Sequence, residues 1–145
     1  MGALGAMLVK EHHDFDSRRF IAPLPKLPER YGQFLSSQIG RPERIVLIAE
    51  DDGEVVGYAY AGLEGNDYMA LRGPAGVLYD LVVDPAHRRR GVGTLLMEAA
   101  LEALTDLGAP RALLFTAEKN CGAQTLFERA GFRRTMIEMT RELAG

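Results

Sequence analysis

Three consecutive arginines, Arg88, Arg89 and Arg90, run into Gly91-Val92-Gly93-Thr94. Residues of these types in this order suit an anion. The first N–H groups of a helix have no internal acceptor, and the aligned peptide dipoles make that end electropositive. Glycines at 91 and 93 leave no side chain to hold a phosphate away from those amides. A phosphate-bearing ligand at the Arg88 to Thr94 turn is therefore the chemistry this stretch predicts. It is neither a P-loop, lacking the lysine and the spacing, nor a G-x-G-x-x-G dinucleotide loop, because Leu96 stands where the third glycine belongs. Other reactive types are scattered. Asp80 sits in an apolar run beside Tyr79, Cys121 stands at a predicted helix start, and His12, His13, Asp14 and Asp16 cluster near the N-terminus. Neighbouring residues on a helix point in different directions, and no cysteine or second histidine cluster completes a ligand set, so no metal site is expected and the cluster reads as a solvated helix face.

A strand must deliver the basic loop and a helix must follow it. Apolar residues at 92, 95, 96, 99, 103, 104 and 107 give helical periodicity, which Gly108 and Pro110 end. Val77 to Val83 reads as the strand before the loop, and Arg111 to Thr116 as a strand after the helix. A strand, helix and strand joined at this length imply parallel pairing through a right-handed crossover. Upstream, residues 3 to 20 have a helical stripe, Ala22 to Pro28 is an extended connector, and a second helix from Pro28 carries Tyr31, Phe34, Leu35 and Ile39. Ile45 to Glu50 and Val55 to Leu63 flank Asp52-Gly53, a strong hairpin turn. Gly65 to Gly76 is read as a loop. Downstream, Asn120 is a plausible N-cap for a short helix with Ala123, Leu126, Phe127 and Ala130 on one face, and Arg134 to Leu143 is read as a last strand.

The chain of 145 residues, 47% hydrophobic and 26% charged, is expected to be one domain, 1–145, of an α/β (α+β) class. Its 17 basic against 20 acidic residues leave a net charge of -3, which argues against nonspecific nucleic-acid binding. Three arginines without interleaved aromatics also fall short of a nucleic-acid patch. One cysteine excludes an internal disulfide and a multi-cysteine zinc site. No apolar run approaches membrane-spanning length and no leader pattern opens the chain, so a cytoplasmic protein with no membrane association is expected.

Arg88-x-x-Gly91-x-Gly93, preceded by Leu81-Val82-Val83 and the Asp84-Pro85 turn, resembles the (Gln/Arg)-x-x-Gly-x-(Gly/Ala) signature of the GNAT superfamily of N-acetyltransferases. From about Ile45 to Leu143 the element order resembles the GNAT core, including Asn120-x-x-Ala123 and Leu126-Phe127-x-x-x-Gly131-Phe132. The resemblance implies a mixed sheet with antiparallel N-terminal strands, the parallel crossover at the cofactor, and two helices near the N-terminus. It implies acetyl-coenzyme A as donor and a primary amine as acceptor, joined by direct attack in a ternary complex. The pyrophosphate would lie on the amides from Arg88 to Thr94 and the pantetheine arm along Leu81, Val82 and Val83. The Val83 N–H would polarise the thioester carbonyl, while Asn120, Ala123 and Phe127 would flank the pantetheine or the thiol.

Family members often carry an acidic residue at the position of Asp80, making it the first candidate base, ahead of Glu64 and Glu54. The alternative is a structural hydrogen-bond acceptor. Many relatives have a tyrosine where this chain has Phe127, and Tyr79, Tyr60 and Tyr58 are the available substitutes. A thiol with a pKa of about 8.5 leaves tolerably unaided, so no indispensable general acid is expected. Cys121 could have a lowered pKa near the cofactor thiol, though an incidental role is the simpler reading. The acidic members of the N-terminal cluster, with Tyr31, Asp67 and Tyr68, could rim an acceptor pocket suited to a cation. Members normally begin with a strand before the two helices, and a missing first strand would leave a sheet edge favouring association, hence a possible homodimer. Many members also end in two strands, and only one fits after Phe132. The competing function is a catalytically inactive acyl-coenzyme A sensor or interaction module.

Overall fold

The computed structural model describes residues 1–144. Two helices, α1 (Gly2–Phe15) and α2 (Leu27–Gln38), precede a hairpin of β1 (Arg44–Asp51) and β2 (Glu54–Glu64). Then come β3 (Ala75–Val83), a short 3-10 turn at Pro85–His87, α3 (Val92–Asp106), β4 (Ala112–Leu114) and α4 (Cys121–Arg129). The sheet order is β1-β2-β3-β4, antiparallel except for the parallel β3–β4 pair. Asp52 and Gly53 take φ of 49° and 78°, the two left-handed residues that match a tight hairpin to strand twist.

The sheet is covered on both faces. Ala59, Ala61, Leu78, Leu81 and Val83 face Leu96, Met97, Ala100 and Leu104 of α3, while Tyr58, Tyr60 and Val82 face Leu4, Leu8, Tyr31 and Leu35 of α1 and α2. Each apolar face buried this way contributes roughly 25 cal/mol per Å² removed from water. The two N-terminal helices pack closely because Gly5 has no side chain. A Cβ there would fall 2.3 Å from Cδ1 of Tyr31, so the glycine is what lets that ring lie between α1 and the sheet.

Several boundaries differ from the sequence expectation. The first helix stops at Phe15 rather than residue 20, because the Asp16 carboxylate accepts from the Arg18 and Arg19 amides and turns the chain. β4 is only three residues long, shorter than Arg111 to Thr116. The expected strand Arg134 to Leu143 is not formed: residues 133–144 have no regular structure and pair with no strand. The tail is held by side chains instead, Arg134 to Glu128 at 3.0 Å, Glu138 to Arg19 at 2.9 Å and Glu142 to Arg18 at 3.9 Å. Its strand-like composition finds no partner strand among the described residues, and composition alone does not make a strand. No helix among the described residues is long and apolar enough to cross a membrane.

Gly5→Ala should destabilise the fold by about 1–3 kcal/mol, the usual cost of forcing an extra methyl into a packed contact. Gly122→Ala, where a Cβ meets nothing within 4 Å, should cost no stability. Urea denaturation of the two variants checks the contrast.

Candidate active site

The site begins with an irregularity in β3. Opposite β2, Tyr60 pairs with Asp80 but Ala61 pairs with Leu78, leaving Tyr79 as an extra residue, a β-bulge. Side chains normally alternate between faces of a strand. The bulge breaks that alternation, so Tyr79 and Asp80 both turn toward α1 and α2: Tyr79 packs with Tyr60, and Asp80 meets Tyr31 and Tyr58.

Tyr31 and Tyr58 both donate to Oδ2 of Asp80, at 2.5 and 2.8 Å. Oδ1 has no protein donor among the described residues. Burial pushes the Asp80 carboxyl above the ordinary carboxylate range, and the two hydroxyls, with His12 nearby, oppose that rise without cancelling it. Burial and the neighbouring Asp80 charge push the Tyr31 and Tyr58 hydroxyls far up, so both remain donors. Asp80 opens on a cleft of about 230 Å³ lined also by Leu8, Val9, His12, Phe20, Ile21 and Tyr79.

The other tyrosines are committed. Tyr79 donates to Glu64, which Arg72 also pairs at 2.7 Å; that hydrogen bond, then Arg72, holds the Glu64 carboxyl below its usual range. Tyr60 donates to Gln38 at 2.9 Å. Glu54 is exposed beside the hairpin turn. The histidines are not a solvated face. His12 Nδ1 donates to the Leu8 carbonyl at 2.8 Å with its ring against Phe15 and Phe20, and His13 Nδ1 donates to the Phe20 carbonyl at 3.0 Å. Both histidines are used to hold the turn after α1. Asp14 pairs with exposed Lys10, Asp16 caps the turn, and Asp67 accepts from the Met69 and Ala70 amides beside exposed Tyr68. Of that group only Tyr31 reaches Asp80.

On its other edge β3 outruns its neighbour. β4 pairs only with Gly76, Val77 and Leu78, so residues 79–83 border a notch where the two parallel strands part. The Asp84 N–H donates to Val56 of β2 at 2.7 Å. Alternation along the strand then turns the N–H and C=O of Val83, and of Leu81, toward the notch. The basic loop closes its end: Arg89 and Gly91 take φ of 65° and 83°, Gly91 caps α3, and the amides of Val92, Gly93 and Thr94 start the helix. A Cβ on Gly91 would meet nothing within 4 Å, and one on Gly93 would reach only Leu126 and Val83, at 3.4 and 3.7 Å. An open, electropositive helix start of this kind fits a phosphate.

Arg88 is already engaged. Its Nε donates to the Val83 carbonyl at 3.0 Å and its terminal nitrogen pairs with Glu11 at 2.8 Å, tying α1 to the loop. Exposed Arg89 and Arg90 have no ion-pair partner among the described residues. Asn120 caps α4 by accepting from the Ala123 amide at 3.3 Å. Phe127 stacks edge-on against Phe132 and packs on the α3 face of the sheet. Cys121 is free and exposed at the start of α4. No cluster of three metal-ligating side chains occurs among the described residues.

The profile of the Acetyltransferase (GNAT) family matches residues 9–132. The chain belongs to this family. Among its relatives, a mycothiol acetyltransferase of Thermobispora bispora is 34% identical over 97 residues, covering 64% of this chain and 31% of that protein. An N-alpha-acetyltransferase of Sulfurisphaera tokodaii is 29% identical over 117 residues, covering 77% and 70%. The chain thus spans about a third of the mycothiol acetyltransferase it matches. The fold agrees with a mutant BH1408 protein from Bacillus halodurans, with a TM-score of 0.80 and 20% identity over 99% of this chain and 91% of that one. It also agrees with an aminoglycoside N-acetyltransferase, AAC(6')-Iy, in complex with coenzyme A, at a TM-score of 0.70 and 21% identity over 80% and 77%. Within this GNAT chain, sequence reasoning missed Gly5, Leu8, Val9, Phe20, Ile21 and the partnership of Tyr31 with Asp80; nothing in residue order signals that α1 lies over the bulge.

Tyr31→Phe and Tyr58→Phe each remove a donor to the charged carboxylate, so each should raise the Asp80 pKa further. A carboxyl raised on folding is protonated more readily in the native state. Its term therefore lowers stability as pH rises from the ordinary carboxylate range through the folded value, and Asp80→Asn should remove that dependence. Carbon-detected NMR titration of Asp80, with urea denaturation across the same pH window, checks both.

Proposed function

We propose that the chain transfers the acetyl group of acetyl-coenzyme A to a primary amine by direct attack within a ternary complex, with Asp80 as the base. One observation carries the reading: Asp80, with a free Oδ1 and a raised pKa, stands on the cleft side of the same strand whose far edge opens into the notch. Donor and acceptor can then approach the 79–83 stretch of β3, one from the notch at its edge and the other from the cleft on its face. Acetyl-coenzyme A supplies an activated thioester. The amides of Val92, Gly93 and Thr94, with Arg89 and Arg90, would hold its pyrophosphate. Leu81 to Val83 would line its pantetheine arm, with the Val83 N–H turned toward the carbonyl oxygen, and Asn120, Ala123 and Phe127 would border the thiol end. Arg88 would position Val83 and α1.

An alkylamine is protonated at neutral pH and must lose a proton to become a nucleophile. Asp80 would take it at Oδ1, directly or through one water, and a raised carboxyl pKa suits that task better than an ordinary one. The N–C bond forms as the C–S bond breaks, the electron pair leaving with sulfur. Tyr58, Tyr60 and Tyr79 already donate to Asp80, Gln38 and Glu64, and Phe127 has no proton to give, so solvent protonates the thiolate. A cytoplasmic setting belongs to the same proposal and suits an exposed, free Cys121.

Phe127 also supports a second reading, binding of acyl-coenzyme A without turnover. One experiment separates the two. Coenzyme A should raise the melting temperature of wild type and of Asp80→Asn alike. Asp80→Asn should lower kcat by about 10²-fold or more, the scale of a lost general base, and abolish the acidic limb of the pH profile. Thermal stabilisation with no coenzyme A release across an amine panel would favour the non-catalytic reading.

A further inference from the structure

The cleft at Asp80 carries information about the acceptor beyond its amine. Leu8, Val9, Phe20 and Ile21 form its wall, and its polar side chains are His12, Tyr79 and Asp80. Ile21 leaves much of its apolar surface in solvent. Charge around the mouth is paired: Arg19 lies 2.9 Å from Glu138 and Arg18 3.9 Å from Glu142. Arg18 and Arg19 precede Phe20, and the Arg19 guanidinium lies 4.9 Å from the centre of the Phe20 ring. The nearby carboxylates are engaged: Glu11 with Arg88, Asp14 with Lys10, Glu64 with Tyr79 and Arg72. Among the described residues Asp80 is the one carboxylate lining the cleft.

We propose that the acceptor is a single primary amine carried on an apolar or aromatic chain, a choice of substrate class that rests on the acetyl-transfer reading above. Asp80 receives the one ammonium group, and the adjoining carbon chain or ring takes the wall of Leu8, Val9, Phe20 and Ile21. A polyamine or an aminoglycoside would bring further ammonium groups against apolar carbon or toward carboxylates already paired with arginine or lysine. Rejection by a missing counter-charge is as effective as attraction elsewhere. An arylalkylamine and a peptide with a hydrophobic first residue share the required chemistry.

The test compares phenethylamine, a leucine-initial tetrapeptide, spermidine and kanamycin as acceptors, read by coenzyme A release. Phenethylamine or the peptide should exceed spermidine and kanamycin by at least tenfold in kcat/KM, and which of the two leads tells whether the source is a free amine or a chain terminus. Phe20→Ala should lower kcat/KM for the preferred apolar amine by roughly tenfold, the scale of one lost aromatic contact, without changing the KM for acetyl-coenzyme A. A preference for spermidine or kanamycin, or a Phe20→Ala effect equal on all acceptors, overturns the assignment. If nothing is turned over while coenzyme A still raises the melting temperature, the transfer reading falls. Calorimetric binding of phenethylamine against spermidine then decides the acceptor class by itself, tighter binding of spermidine overturning it.

Discussion

The site depends on one extra residue in β3. Without the bulge at Tyr79, strict alternation would send Asp80 toward α3 and Tyr79 alone toward α1 and α2. With it, the carboxylate reaches the tyrosine pair, while Leu81 and Val83 still pack on the α3 face. The short β4 is the complementary constraint: because pairing ends at Leu78, the edge of residues 79–83 is free at the level where Asp80 stands. One strand thereby presents a side chain to a cleft on one face and backbone groups to a notch on its edge.

Asp80 shows how the fold balances opposed terms. Desolvation favours its neutral form, and two hydroxyl donors restore part of the charged form. A carboxylate left without those donors would be too reluctant to ionise; one fully exposed would be an ordinary, weaker base. Gly5 belongs to this balance although it touches no reacting group, since its missing side chain is what allows the Tyr31 ring its place. Arg88 has a comparable part: it pairs with Glu11 on α1 and donates to the Val83 carbonyl on β3, so that one guanidinium joins the helix walling the cleft to the strand lining the notch.

The basic loop, the hairpin at Asp52-Gly53, the α3 crossover and the Asn120 cap were legible in the sequence because each is written in local chemistry: glycines, a periodic stripe, a capping side chain. The bulge is not local in that sense, since the extra residue exists only relative to β2. The cleft walls were hidden for the same reason, Leu8 and Phe20 being brought together by the Asp16 turn and by His13 bonding the Phe20 carbonyl. The histidines, read as a solvated face, serve instead as struts, which their spacing gives no sign of. The tail from Arg134 misled in the other direction: Thr135, Ile137 and Thr140 favour a strand, but composition does not by itself make the segment pair, and it pairs with no strand among the described residues.

Hydrogen–deuterium exchange with and without coenzyme A tests the central claim, that the donor lies in the notch between β3 and β4 and against the start of α3. Coenzyme A should slow exchange in peptides covering 79–83 and 91–95 and leave the β1–β2 turn at 51–54 unchanged. Protection confined to other segments, with 79–83 and 91–95 exchanging as in the free protein, would contradict it.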